Sequence, residues 1–596
     1  MNRSAQAPPS AVFRLKALLP AADWLRHYDR RHLAADVIAG VVTAILLVPQ
    51  GVAFALLAGL PPQAGLYASI VGPLVYGFFG TSRTLSVGPV SVAAVMVASA
   101  LGVSGLGGNY GHNALVLAAE CAAIFFALAA LRLGWLVNLL SHPVLSGFTA
   151  GAAVLIIFSQ VPQLAGYKGP KDIHGWQSYW EIIAGLPHMT PATLAIGLCA
   201  VIGLILLGKP FARWLGKRHL PEVARTALAK SAPLVIVVAA SLAVMTLGLS
   251  ETVSRVGAIP GGLPSPSTAF LASPDWLKLF PSALVIGLVG YVESMAIAKA
   301  LASRRRESIN ANQELLALGA ANVAGAFFGA MPVAGGFSRT MVNYAAGART
   351  QLASMITACL VGLALIVFSS WFAAIPKAAL AAIIIVAVAP LVNWREFLNV
   401  WRYDRGDGGV FLLTAVAVLL LGIEEGIVIG VTLSMVLFVW RAGHPHIAEV
   451  GRVPDTQHYR NIKRHAVETW PGIRIFRVDE SLTFVNATKI RDHLVDAVVH
   501  GDNVQHVILL CTAINYIDSS ALEMLESVVK DLRDAGATFH LAEVKGPVMD
   551  SLRAAGLIEH LAPGKIFFRI DDAVAEFSAV REISALQPTE QQRIQA

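Results

Sequence analysis

The stretches SVGPVS at residues 86–91 and GGFSRT at residues 335–340 decide how this chain folds. Each lies at the start of a short apolar segment, 88–101 in the first case and 338–346 in the second. Both segments are too short to cross a bilayer, which takes about 20 residues of helix. Each follows two longer apolar segments in its own half of the chain. We therefore predict a broken third helix in each half.

Further apolar runs surround these segments and continue with few interruptions over residues 34–440. They predict fourteen membrane segments in a seven-plus-seven arrangement, with repeats at about 34–250 and 281–440. Of the 596 residues, 56% are hydrophobic and only 14% are charged, and the mean hydropathy is +0.63. Soluble domains carry about 25% charged residues, so this composition excludes a disordered chain and a simple soluble enzyme.

The positive charges predict the orientation in the membrane. Lys and Arg are concentrated in the N-terminal segment 1–33, in the loop 209–230 and at residues 304–306. Because cytoplasmic loops carry the excess of Lys and Arg, we expect a multi-pass protein of the plasma (inner) membrane with cytoplasmic N- and C-termini. The basic residues lie beside membrane segments, so the net charge of +7 indicates a lipid bilayer rather than a nucleic acid as the partner.

Other motifs narrow the function. The four Cys residues are scattered and form no CxxC pair, so neither a zinc site nor a disulfide framework is supported. No Walker A motif occurs, so the chain is not expected to use ATP for transport, and we predict no cofactor, no metal and no enzyme activity.

Paired broken helices are the best pointer in a sequence to the binding site of a transporter. A helix that begins inside the bilayer leaves its first N–H groups without intrahelical partners, and these groups carry about +0.5 charge. Two such helix starts facing each other would bind an anion.

Two charged residues in the apolar runs stand out. Arg339 follows the pair Gly335-Gly336. A charge at membrane depth costs roughly 2.5–3.5 kcal/mol, so a charged residue there is usually functional. Glu293 lies in an apolar run that opens the second half, where it would change protonation as a substrate arrives or act as a static partner of Arg339 or Lys299. For Glu120, which has no broken helix beside it, we predict a structural role.

Four motifs resemble the sulfate permease (SulP) family, also called solute carrier family 26. They are VPQGVAFA (48–55), SVGPVS (86–91), ESMAIAK (293–299) and FSRT (337–340), and the resemblance covers roughly 25–585. It implies the inverted repeat shared with uracil transporters, a mobile core domain and a gate domain, with the substrate between the third and tenth helices. It also suggests a homodimer.

The resemblance assigns roles to matching residues of this sequence. It places Gln50, Phe54, Val90, Ser91, Val92, Ser338 and Arg339 at the substrate. Glu293 matches the carboxylate that couples sulfate-type members to protons, whereas bicarbonate members that use sodium have Asp there. H⁺ is therefore the expected coupling ion, and Na⁺ is the alternative.

After Arg441 the composition becomes that of a soluble α/β domain. We predict a linker at 441–459, a domain at 460–585 and a tail at 586–596. Its strands and helices resemble a STAS domain, named for sulfate transporters and anti-sigma factor antagonists, and we expect it in the cytoplasm. In the antagonists a serine of the Asp-Ser-Ser motif is phosphorylated, which would make Ser519 or Ser520 regulatory here. Helix capping by Asp518 or Ser519 is enough to explain the motif, and a cytoplasmic protein partner stays open.

The sequence thus predicts a secondary active transporter that takes up sulfate with protons by alternating access. Bicarbonate, a C4-dicarboxylate or chloride as substrate, and exchange or channel modes, are alternatives within the same fold. An alternative of another class is a membrane-tethered STAS signalling scaffold, although a tether needs one or two spans rather than fourteen.

Overall fold

The computed structural model describes most of the chain. The described residues are 19–103, 110–139, 141–170, 175–208, 210–211, 214, 228, 231–257, 262–501, 503–578 and 582–583. Residues 1–18 of the predicted N-terminal segment, most of the basic loop 209–230 and the predicted tail 586–596 lie outside them. The chain forms two compact units, residues 1–434 and 435–596.

The two halves of the first unit repeat one order of elements. The first half contains α1 (Pro20–Arg26), α2 (Leu33–Leu57), α3 (Pro62–Phe79), β1 (Val87–Gly88), α4 (Ser91–Val103), α5 (Tyr110–Ala130), α6 (His142–Ala165), α7 (Gly175–Ala184), α8 (Pro191–Leu207) and α9 (Ala232–Thr246). The second contains α10 (Trp276–Arg305), α11 (Ala311–Phe327), β2 (Ala334–Gly335), α12 (Phe337–Ala345), α13 (Leu352–Phe372), α14 (Lys377–Val388), α15 (Trp394–Tyr403), α16 (Arg405–Leu421) and α17 (Ile423–Gly443). In each half a two-residue strand and a short helix follow a pair of longer helices, as the broken segments predict.

Seven described helices are long and apolar enough to cross a membrane, or eight when the bent pair Gly175–His188 and Pro191–Leu207 counts as one span. The short helix α4 and the helix α9 are apolar but fall below that length. The count of fourteen spans therefore stays a prediction, while the mostly helical, repeated architecture is confirmed.

The helices of this unit pack as two groups. Group A consists of α2–α5 and α10–α13, which contact mainly one another. Group B consists of α6–α9 and α14–α17; within it α17 packs through Gly426 against Val418 of α16 and through Gly430 against Val144 of α6. The groups meet where α2 contacts α9 and α14 and where α4 contacts α6.

A buried carboxylate fixes the chain just before β1. Glu314 on α11 is 0% exposed and accepts hydrogen bonds from the Tyr76 hydroxyl (2.7 Å) and the Thr81 hydroxyl (2.6 Å). It also accepts from the backbone N–H groups of Thr81 (2.7 Å) and Ser82 (3.1 Å). Because every partner is a donor, the carboxylate ties the loop that leads into β1 to the long helix α11.

A second buried carboxylate holds the chain after α12. Asp36 on α2 accepts hydrogen bonds from the Thr350 hydroxyl (2.7 Å) and from the N–H groups of Arg349 (2.6 Å) and Thr350 (3.1 Å). The Tyr28 hydroxyl adds a fourth bond at 3.1 Å. The segments next to both short helices are thus anchored by carboxylates from other helices.

The second unit is an α/β domain. Its elements are β3 (Ile447–Arg452), β4 (Tyr459–Asn461), β5 (Glu468–Thr469), β6 (Ile473–Val478), α18 (Ala487–Val499), β7 (His506–Leu510), α19 (Ser519–Asp534), β8 (Thr538–Ala542), α20 (Gly546–Ala554), α21 (Leu557–His560), β9 (Ile566–Phe567), α22 (Ile570–Phe577) and β10 (Glu582–Ile583). The sheet order is β10-β5-β3-β6-β7-β8-β9, with β4 paired to β3. The strands β6 to β9 are parallel, and apolar clusters cover both faces of the sheet.

The predicted linker 441–459 needs a correction, because it contains β3. That strand pairs antiparallel with β6, so this stretch belongs to the sheet. The burial pattern of β3 is short and directly follows a membrane helix, so the sequence analysis did not recognise it as a strand.

Inside the domain, burial lowers the pKa of His540 to about 4, and its Nδ1 accepts a hydrogen bond from the Lys565 N–H at 3.1 Å. This histidine is therefore a neutral part of the core.

We predict that Glu314→Gln lowers the free energy of unfolding by about 1–3 kcal/mol, because the charge that strengthens four hydrogen bonds to a buried carboxylate is lost. Thermal unfolding of the detergent-solubilised protein measures the change. The control is Glu181→Gln, since Glu181 is exposed. Equal midpoints for the two variants would show that Glu314 does not anchor the loop.

Candidate functional site

The two broken helices meet at a small antiparallel sheet. The pairs Val87–Gly335 and Gly88–Ala334 form it, and the Gly336 N–H donates to the Ser86 carbonyl at 3.1 Å. We call this pairing of 87–88 with 334–335 the crossing. The Ser86 N–H donates to the Thr340 hydroxyl at 3.0 Å, so the first turn of α12 takes part in it. The pairing brings the starts of α4 and α12 together inside group A.

Among the described residues, no side chain pairs the first backbone donors of either short helix. In α12 the N–H groups of Phe337, Ser338 and Arg339 thus have no capping partner there. In α4 the first helical hydrogen bond runs from the Ala94 N–H to the Val90 carbonyl. The N–H groups that precede Ala94 in the first turn therefore also lack intrahelical partners. Together the two ends supply positive partial charge at one place.

Arg339 lies between these two ends. It is 2% exposed, and its Nη1 donates to the carbonyl of Pro89, just before α4. In the part of the chain that the structure describes, its Nε and Nη2 have no hydrogen-bond partner although both are buried. Since buried guanidinium donors are costly to leave unpaired, they mark a place where an anion would bind.

A missing side chain makes room for this guanidinium. A Cβ on Gly336 would lie 2.8 Å from Nη2 and 2.9 Å from Cζ of Arg339. At those distances, any side chain at position 336 would displace the guanidinium of Arg339. The second glycine of the pair at 335–336 therefore lets Arg339 lie against the crossing.

Glu293 lies on α10 beside the same crossing. The next residue, Ser294, accepts a hydrogen bond from the Gly335 N–H at 2.7 Å and donates to the Gly290 carbonyl at 2.5 Å. Glu293 is half-buried and interacts electrostatically with Arg339, but no ion pair within 4.0 Å joins these two described residues. The carboxylate is thus near the cation without neutralising it by direct contact.

The other predicted substrate residues surround the crossing on the elements that pack there. Gln50 and Phe54 are buried on α2, which contacts both α4 and α12. Within the described residues the Gln50 side chain makes no hydrogen bond. Val90, just before α4, and Val92 are buried. Ser91 is half-buried, and Ser338 of α12 is exposed.

Sequence reasoning missed several polar residues that build the crossing. Asn322 of α11 accepts from the Val333 N–H and donates to the Val333 carbonyl, both at 2.9 Å, and Asn343 donates to the Thr84 carbonyl at 3.0 Å. Gln351 donates to the Leu85 carbonyl at 3.0 Å. Their positions in apolar surroundings were the available signal.

The predicted residues of the α/β domain lie apart from this site in the chain. Asp518 caps α19, with its side chain accepting from the Ala521 N–H at 2.9 Å and from the Phe484 N–H at 2.7 Å. Of the two candidate caps, the structure uses Asp518. Ser519 and Ser520 are both exposed. Their regulatory role stays a prediction.

Comparison with known proteins gives the family of this chain. The chain matches the sulfate permease family over residues 33–414 and the STAS domain over residues 464–573. It is 34% identical over 575 residues to probable sulfate transporter 4.2 of Arabidopsis thaliana, covering 94% of this chain and 83% of the relative. It is 33% identical to probable sulfate transporter MT1781 of Mycobacterium tuberculosis, covering 94% and 98% of the two chains.

Solved structures show the same fold. Murine Slc26a9, an anion transporter in the inward-facing state, superposes with a TM-score of 0.86 at 25% identity, covering 97% of this chain and 96% of that one. The transmembrane domain of the cyanobacterial bicarbonate transporter BicA gives a TM-score of 0.55 at 22% identity, covering 68% and 98%.

The fold and the site define a multi-pass membrane transporter of anions rather than an enzyme. The chain belongs to the sulfate permease family and carries a C-terminal STAS domain.

We predict that Gly336→Ala weakens sulfate binding about tenfold, because the added Cβ displaces the Arg339 guanidinium and a charge-assisted bond is lost. Calorimetric titration of purified protein with sulfate measures this. Gly409→Ala is the matched control, since a Cβ there meets nothing within 4 Å. Unchanged affinity in Gly336→Ala would contradict the assigned place of the guanidinium.

Proposed function

We propose that this protein takes up sulfate together with protons by alternating access, with the anion held between α4 and α12. The observation that carries the proposal is the buried Arg339, with two unpaired guanidinium nitrogens, between two uncapped helix starts. The sulfate transporters among the relatives, which align over nearly the whole chain, support sulfate as the substrate.

The charges of the site suit a divalent anion. Two helix ends contribute about +0.5 each and Arg339 contributes a full charge, which gives about +2 in total. Sulfate offsets that charge, whereas a monovalent anion such as bicarbonate or chloride leaves positive charge uncompensated. A C4-dicarboxylate carries the same charge on two separated groups and is the second candidate; of the two, the relatives favour sulfate.

Glu293 is the proposed proton-binding residue. An ionised Glu293 repels a dianion at the crossing and offsets part of the Arg339 charge without contacting it, so protonation of Glu293 leaves the full charge of Arg339 to the anion. Binding of proton and sulfate together produces a nearly neutral site, which crosses the low-dielectric interior at lower cost than a charged one. We propose H⁺ rather than Na⁺ on this ground.

The two helix groups supply the parts for alternating access. The crossing, Arg339 and Glu293 all belong to group A, so the anion moves with that group when it shifts against group B. We further propose a plasma-membrane homodimer with both termini in the cytoplasm and with the STAS domain available to a protein partner. The resemblance to the family and the positions of Lys and Arg support this part of the proposal.

We predict that Arg339→Gln raises the KM for sulfate about 10- to 100-fold, because one charged donor group is lost from the site. Arg339→Lys keeps the charge without the planar fork and should lie between this variant and the parent. Uptake of radiolabelled sulfate into proteoliposomes measures KM, with exposed Arg402→Gln as the control. A parental KM in Arg339→Gln would reject the assigned role.

We predict that Glu293→Gln keeps sulfate exchange but loses proton-driven accumulation, because Gln imitates the protonated acid and cannot release a proton. The measurement is sulfate counterflow and sulfate accumulation under an imposed pH gradient in proteoliposomes. Glu251→Gln, at an exposed position in a short 3-10 helix, is the control. Accumulation that still follows the pH gradient in Glu293→Gln would assign proton coupling to another residue.

A further inference from the structure

A hydrogen bond joins the two helix groups far from the crossing. The hydroxyl of Ser282 on α10, in group A, donates to Oε2 of Glu424 on α17, in group B, at 2.9 Å. We infer that this hydrogen bond holds the outer end of the anion site closed and breaks when group A moves against group B. The inference extends the proposed alternating access and rests on it.

Distance along α10 locates the bond near one end of the molecule. Ser294, at the level of the crossing, is separated from Ser282 by 12 residues, which is about 18 Å at 1.5 Å per residue. Ser282 lies near the start of α10 at Trp276, and Arg304 and Arg305 lie in the last turn at the other end. Since the basic ends of membrane helices face the cytoplasm, the bond lies at the outer end.

The helix α17 leads to the same orientation independently. Glu424 lies in its first turn and Arg441 in its last turn. The basic end is again opposite to the Ser282–Glu424 bond. The similarity to a transporter solved in an inward-facing state also fits a bond that closes the outer side.

The carboxylate of Glu424 is only partly satisfied. Its Oε1 is buried and, among the described residues, has no hydrogen-bond partner. Water reaches this oxygen once the groups separate, and that hydration offsets part of the loss of the Ser282 bond. A contact of limited net strength suits a closure that has to break in every transport cycle.

The contact is specific to one of two adjacent acids. Glu425, the next residue, is exposed, whereas Glu424 is half-buried against Ser282. Removing the bond should raise the population of the outward-open state. One hydrogen bond to a charged group favours the outward-closed state about tenfold. Its loss should therefore raise the population of the outward-open state, and with it access to the site from outside, about tenfold.

The test measures access to the site without any substrate. Ser338, at the start of α12, is exposed and is replaced by Cys in a background in which the exposed Cys199 and Cys359 are changed to Ser. Intact cells are treated with a membrane-impermeant maleimide. We expect Ser282→Ala and Glu424→Ala each to label about ten times faster than the parent, and the double variant to label no faster than either.

Two further variants serve as controls. Glu425→Gln and the conservative Ser282→Thr, which keeps the hydroxyl, should label at the parental rate. The same variants without the Ser338→Cys change should not label at all, because the remaining Cys121 and Cys511 are buried in folded protein. Equal or slower labelling in Ser282→Ala and Glu424→Ala, or equal acceleration in Glu425→Gln, would overturn the inference.

Sulfate uptake by the Ser282 and Glu424 variants that keep Ser338 provides a second measurement. An outer end that opens more often should lower the external KM for radiolabelled sulfate in both alanine variants. Faster labelling without sulfate uptake in any variant would count against the proposed substrate and leave the closing bond supported. Sulfate uptake with unchanged labelling would support sulfate as the substrate and reject the closing role of the Ser282–Glu424 bond.

Discussion

The pairing of Val87–Gly88 with Ala334–Gly335 is the contact on which the rest of the transport unit depends. A helix interrupted inside a bilayer exposes backbone groups, and each unsatisfied group costs several kcal/mol in hydrocarbon. Two interrupted helices are stable there only if they satisfy each other or line a polar cavity. The two-residue sheet satisfies part of the need, and the proposed anion would satisfy the helix starts next to it.

The surrounding polar residues hold the segments that form the crossing. Glu314 and Asp36 anchor the segments that enter and leave it, while Asn322 and Ser294 hold the strand at Gly335 in place. These groups are fully buried or nearly so, and most of their partners are backbone atoms. These contacts fix the backbone around Arg339, whose Nε and Nη2 have no hydrogen-bond partner among the described residues.

The separation of rigid and movable contacts explains how such a frame can transport. Inside group A the polar contacts are numerous and buried, whereas the bond between Ser282 and Glu424 across the groups leaves one carboxylate oxygen unpaired. Strong contacts within a group and weaker ones between groups allow the site to move as a body. The chain belongs to the sulfate permease family, and the proposed alternating access requires such a movement.

The sequence by itself determined the interrupted helices and their place in each half, because these depend on local features: the length of an apolar run and a glycine. It also singled out Arg339 and Glu293 as charges in apolar surroundings. For the helix cap it offered Asp518 or Ser519, and the structure uses Asp518. The sequence predicted fourteen spans, a number that depends on boundaries that hydropathy defines poorly, and it placed a linker where β3 forms. Only the tertiary structure decided which backbone groups Glu314 and Asp36 bind, that Gly336 makes room for Arg339, and that Ser282 meets Glu424. These contacts join residues far apart in the chain, and no local pattern in one sequence encodes which distant donor a buried carboxylate will face.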